Sequence, residues 1–157
     1  MCPTEQLFAQ MVKEHKSTIY SVCFMFSESQ EETEDLFQET LINLWKGFES
    51  FRSESKVSTW IYRVTMNTCI SYERKRKRAK ERVPLHMDIN LYEDDDLETK
   101  QVQMLYERIH HLGLIDRAII MLWLENLSYE EIGLIIGIST KNVSVKLVRI
   151  KEKLMRH

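Results

Sequence analysis

Between Asp35 and Phe48 the apolar residues Leu36, Phe37, Leu41, Leu44, Trp45 and Phe48 recur at helical spacing, and Asp35, Gln38, Glu39, Asn43 and Lys46 lie away from them. This predicts a helix with one buried stripe and one acidic, amide-rich face. After the loop "ESFRSESK", with Ser55 or Ser58 available as an N-cap, a second stripe follows: Trp60, Ile61, Val64, Thr65, Thr68, Cys69 and Tyr72. Arg63, Asn67, Arg74 and Arg78 share roughly one outer face of that helix. It therefore has an oily side and a basic side. Trp60 and Tyr72 read as core or boundary aromatics, whereas Tyr62 fits the core and a base-stacking surface equally.

The pattern lapses after Pro84, in "VPLHMDINLYEDDDLE", and resumes near Leu97. Residues 83–98 read as an acidic linker between two small domains, 1–82 and 99–157. In the second of these, Ser128 stands three residues before Glu131, a capping box that opens a short helix carrying Ile132, Ile135 and Ile136. Gly137 permits a tight turn, Ile138 plugs it and Ser139 can cap the next helix. There Val143, Leu147, Ile150 and Leu154 form the buried stripe, which turns Lys141, Asn142, Val145 and Arg149 outward. Short helix, glycine turn and longer helix with a polar, basic exterior make a helix-turn-helix with 139–154 as recognition helix. The same apolar spacing would also suit an ordinary helical hairpin.

Composition narrows the class. The 157 residues, 43% of them hydrophobic, contain four glycines and two prolines, so the breakers that separate strands are scarce. The expected fold is all-α, with two small helical domains. Three widely spaced cysteines, Cys2, Cys23 and Cys69, include no CxxC pair, which argues against a disulfide framework or a zinc site and fits a reducing cytoplasm. No leader pattern and no membrane-length apolar run stands out, so neither secretion nor membrane insertion is expected. The formal net charge of −2 hides segregation: 27–39 is acidic, 74–82 basic and 87–98 acidic again. A basic helical face beside a polar loop and aromatics is the composition of a nucleic-acid surface, because cations neutralise phosphates and aromatics stack on exposed bases.

The stretches "EDLFQETLINLWKGFESFRSESKVSTWIYRVTMNTCISYERKRKR" and "LSYEEIGLIIGISTKNVSVKLVRIKEKL" together resemble the two characteristic regions of the bacterial RNA polymerase sigma factors of the extracytoplasmic-function (ECF) group. The resemblance spans nearly the whole chain, leaving out the linker and the extreme N-terminus. It implies a region 2-like domain over 1–82 that grips the clamp helices of the polymerase β′ subunit and melts the downstream promoter element. It also implies a region 4-like domain over 99–157 that reads the upstream element as duplex and meets the β subunit. Asp35, Gln38, Glu39 and Asn43 match the family's polymerase-facing helix. Arg52, Ser53, Glu54, Ser55 and Lys56 match the loop that captures a flipped base of the non-template strand, and Arg63, Asn67 and Arg74 fall on the helix beside it. In the recognition helix Thr140, Lys141, Asn142, Val145, Lys146 and Arg149 match the DNA-facing positions. Ser144 stands where the family is usually basic, Val145 where serine is usual and Ile150 where alanine is usual; these departures bear on which promoter is read. An anti-sigma protein as regulator is implied by the resemblance alone.

Two other functions would fit parts of the pattern. A helix-turn-helix regulator with a dimerising or sensing first domain would not need that domain's own basic, base-capturing loop and helix. Glu107 and His110 have the ExxH spacing of di-iron bundles, but such a site needs a second copy and two further glutamates, and the chain has no second copy. No Gly-rich phosphate loop or nucleophile elbow is present. The expectation is therefore no catalytic residue, no metal and no cofactor, with catalysis left to the partner.

Overall fold

The computed structural model describes residues 3–51, 56–80 and 97–155. Among them are seven helices and no strand, divided between two compact units, Met1–Pro84 and Leu85–His157. None of the described helices is long and apolar enough to cross a membrane. Most of the acidic linker expected over 83–98 lies outside the described residues, while its last two positions, Leu97 and Glu98, already belong to a helix.

The first unit is a three-helix bundle of α1 (Pro3–Met25), α2 (Gln30–Phe48) and α3 (Val57–Lys80), in which each helix packs on the other two. α1 supplies Met11, Ile19, Val22, Cys23 and Met25 to the core, a spacing that keeps one face inward. Phe26 in the following turn is fully buried. Ser29 caps α2 by accepting from the Glu32 amide at 3.1 Å, and the Glu32 carboxylate accepts from the Glu28 amide at 2.9 Å, a near-reciprocal capping box.

The buried line of α2 departs from the hydropathy pattern. It runs through Thr33, Leu36, Thr40 and Leu44, while Phe37 and Leu41 are half-buried and Trp45 is 43% exposed. Threonines are tolerated there because each hydroxyl bonds back to its own helix, Thr33 to the Ser29 carbonyl at 2.9 Å and Thr40 to that of Leu36 at 2.8 Å. Trp45 instead meets the Phe8 ring edge-on, centroids 5.0 Å apart. In α3 the inward face is wider than the predicted stripe, taking in Tyr62, Met66, Ile70 and Glu73 besides Ile61, Thr65, Thr68 and Cys69, because both other helices lie against it.

One buried charge cluster ties the unit together. Arg76 reaches Glu73 on its own helix at 2.6 Å, and Glu28 and Glu32 across the bundle at 2.8 and 3.2 Å. Desolvation works against its charge, but Glu73 and then Glu28 and Glu32 outweigh it and hold its pKa above the ordinary arginine value.

The second unit contains α4 (Leu97–His110), α5 (Leu114–Leu124), α6 (Tyr129–Ile136) and α7 (Thr140–Met155). α5 is its centre: every residue from Arg117 to Leu122 is buried. The Arg117 guanidinium is accommodated by donating to the carbonyls of His110 at 2.6 Å and Leu112 at 3.4 Å, groups left open where α4 ends. Arg108 donates to the Leu154 carbonyl at 3.0 Å and so fastens the end of α7 to α4. Lys151 lies 4.1 Å from the centroid of the Trp123 ring, adding a cation–π contact between α7 and α5.

Candidate nucleic-acid interface

The helix-turn-helix is built from caps upward. Ser128 accepts from the Glu131 amide at 3.1 Å and opens α6; Gly137 closes it in the left-handed region at φ 88°, where glycine has no steric penalty. The amides of Gly137 and Ile138 both donate to the Gly133 carbonyl, at 2.8 and 3.1 Å, and Ser139 then accepts from the Asn142 amide at 3.2 Å to start α7. Gly133 was not singled out from the sequence. A β-carbon on it would sit 2.7 Å from the Ile138 carbonyl oxygen, so the turn folds directly onto α6 there.

This frame buries Val143, Leu147 and Ile150, with Leu154 half-buried at the end. Thr140, Lys141, Asn142, Val145 and Arg149 are exposed, and Lys146 is half-buried. The outward set read from the sequence therefore shares one side of α7. Val148, 57% exposed, belongs to that side too; the sequence reading passed over it because a valine beside a buried leucine looks like core.

In the first unit Arg63, Asn67 and Arg74 are exposed along α3, as is Lys75. Arg76, read as part of the same basic run, is folded into the glutamate cluster, so the basic face is narrower than the run "RKRKR" implies. The Arg78 side chain lies outside the described residues, as do Arg52, Ser53, Glu54 and Ser55. The positions flanking 52–55 are held in place. Phe51 stacks on Trp60 with centroids 4.8 Å apart and rings 24° from parallel, and its amide donates to the Gly47 carbonyl at 3.0 Å. Lys56 is exposed and its carbonyl accepts from the Trp60 amide at 3.1 Å, which places it at the start of α3. Ser58 is thus inside the helix and does not cap it. Tyr62 is buried, so its ring belongs to the core and has no face for a base.

α2 and α3 enclose a cleft of about 600 Å³ lined by Asp35, Glu39, Asn43, Val64, Asn67, Thr68, Ser71, Tyr72 and Lys75. Asp35 and Glu39 are exposed on its α2 wall. Asn43 is half-buried and donates to the Thr68 hydroxyl at 2.9 Å, so it fastens α2 to α3 as well as lining the cleft. Burial, reinforced by Glu32, raises the Tyr72 phenol pKa. Gln38 is exposed and is not among the cleft residues. The two carboxylates thus stand on the α2 wall of the cleft and Lys75 on its α3 wall, a surface that can meet a basic protein partner on one side and phosphate on the other.

A helical bundle with a basic helix face, followed by a capped helix-turn-helix with a basic exterior, defines a two-part nucleic-acid-binding protein. Residues 11–79 match the family model of sigma-70 region 2, and residues 102–154 that of sigma-70 region 4. The RNA polymerase sigma factor SigV of Bacillus subtilis is 29% identical over 154 residues, covering 98% of this chain and 91% of that protein. The ECF RNA polymerase sigma factor SigW of the same organism is 28% identical over 166 residues, covering 97% and 89%. The fold is similar to that of the sigma factor RpoE in a complex with the anti-sigma factor NepR from Bartonella quintana, with a TM-score of 0.77, 22% identity and coverage of 94% of this chain and 93% of that one. It is similar also to CnrH, solved with the cytosolic domain of CnrY, with a TM-score of 0.70, 20% identity and coverage of 96% and 86%. The chain belongs to the ECF group of RNA polymerase sigma factors, which are transcription initiation factors.

Proposed function

We propose that this sigma factor divides its work between two surfaces, residues 1–82 engaging core polymerase and opening the downstream promoter element, and residues 99–157 reading the upstream element as duplex. Asp35, Gln38 and Glu39 present the polymerase-facing side of α2, with Asn43 holding α2 to α3 behind them. Arg52, Ser53, Glu54, Ser55 and Lys56 form the pocket for a flipped non-template base, and Arg63, Asn67 and Arg74 neutralise the strand beside it. Thr140, Lys141, Asn142, Val145, Lys146 and Arg149 meet the upstream element. The segment 83–98 joins the two parts, an anti-sigma protein regulates them, and the site of action is the cytoplasm. Bond making belongs to the polymerase; this chain contributes binding and strand separation.

The observation that carries this reading is the outward side of α7, where Lys141, Asn142 and Arg149 are exposed around a helix whose opposite side is core. Flipping a base costs a few kcal/mol, which contacts to the extruded base must offset. Replacing Ser53, Glu54 and Ser55 together by glycine should leave closed complexes nearly unchanged and suppress opening, read as permanganate reactivity of unpaired thymines. A template already mismatched at the downstream element should restore much of the lost transcription. Normal opening by the triple variant would remove the loop from the account.

A further inference from the structure

Along the outward side of α7, Val145 and Val148 lie one turn apart, 42% and 57% exposed. Lys141 stands one turn before Val145 and Arg149 one turn after it, both exposed. β-branched residues are poor choices for a solvated helix surface, since they lose side-chain freedom against the preceding turn and leave apolar area in water. Their exposed neighbours on α7, Lys141, Asn142, Arg149 and Glu152, are polar or charged, so the two valines form an apolar patch among them. In the major groove the apolar feature of a base-pair edge is the thymine 5-methyl group, and aliphatic side chains read it by contact. The flanking cations would hold the helix against phosphates on either side.

We propose that Val145 and Val148 form an aliphatic patch that selects thymine in the upstream promoter element through its 5-methyl group. Arg149 and Lys141 then supply phosphate or purine contacts around a methyl-reading centre. The proposal rests on the assignment of α7 as the recognition helix. It also adds Val148 as a specificity residue and a base chemistry to match.

The test uses the full chain with core polymerase on a promoter located by transcript mapping. Each thymine of the upstream element, on either strand, is replaced singly by deoxyuridine, which deletes only the methyl group and leaves pairing intact. Burying one methyl corresponds to about a three- to fourfold change in affinity. At one or two positions deoxyuridine should lower complex formation by about that factor. The Val145→Ser and Val148→Ser variants, altered only at exposed positions, should no longer distinguish thymine from deoxyuridine there. Three results would overturn the proposal: no deoxyuridine effect where ordinary base-pair changes do matter, an upstream element with no A·T pair, or valine variants that weaken every template equally while keeping their sensitivity to the methyl group. The last would move the patch to a protein contact. If base-pair changes throughout the upstream element and Lys141→Ala all left transcription unaltered, the assignment of α7 itself would fail, an outcome separate from failure of methyl reading.

Discussion

Gly133 shows how a single atom can set the geometry of the helix-turn-helix. In a solvated helix, glycine to alanine stabilises by about 1 kcal/mol. Here the added β-carbon would meet the Ile138 carbonyl oxygen at 2.7 Å, and that oxygen is backbone with little room to yield. Overpacking of this kind costs about 1–3 kcal/mol. Gly133→Ala should therefore lower the stability of the second unit on balance, by about 1–2 kcal/mol in urea unfolding; equal or greater stability would contradict the close approach. Hydropathy leaves such sites unread, because the constraint is a distance between two turns and not a property of the residue. Thr33 and Thr40 were missed for a related reason. They score as polar, yet their hydroxyls are satisfied within their own helix and the remaining methyl packs as an apolar group. Cys23 and Cys69, far apart in sequence, are both buried in the first core, where the Cys23 thiol and burial push the Cys69 thiol well up. Both should resist iodoacetamide at neutral pH in the native protein and label once it is unfolded; rapid native labelling would contradict their burial.

At the scale of elements, hydropathy alone identified α2, α3, α6 and α7 and the order in which they occur. The caps at Ser128 and Ser139 were legible because short-range chemistry fixes them. Neither α1, one of the three helices of the first core, nor α5, the centre of the second unit, was drawn out of the sequence. The basic run after Tyr72 was legible as charge but not as geometry. Which of its members turns inward depends on Glu28 and Glu32, more than forty positions away, and no local pattern reports that. The Arg76 side chain is only 13% exposed and Glu73 1%, so removing the cation takes a counter-charge from a buried carboxylate. Arg76→Met should destabilise the first unit by about 3 kcal/mol, seen as an earlier unfolding transition by circular dichroism. Adding Glu73→Gln should recover part of the loss. An unchanged midpoint for Arg76→Met would show that the cluster is screened and contributes little. Because α3 carries Arg63, Asn67 and Arg74, the same variant should also weaken promoter opening at temperatures where the fold survives.

For the whole molecule, the balance of charge shapes how the protein must act. A chain with a formal charge of −2 lacks the net basic character of a free-standing DNA binder, for which phosphate neutralisation dominates affinity. Its cations are concentrated on α3 and α7, while Asp35 and Glu39 face outward from α2. Alone at physiological salt it should bind promoter duplex no better than the micromolar range of non-specific association; tight, sequence-specific binding without polymerase would favour an operator-binding regulator. The family was legible in the sequence because both regions keep their helical patterns in order. Residues 52–55 and most of the linker lie outside the described residues. The most direct test of the central claim is to mix the chain with bacterial core polymerase and genomic DNA and map the transcript starts. The account predicts discrete starts preceded by a shared pair of sequence elements, absent without the chain and lost when Asp35 and Glu39 are both replaced by lysine. Starts that are the same with and without the chain, or that persist undiminished in the doubly substituted protein, would contradict it.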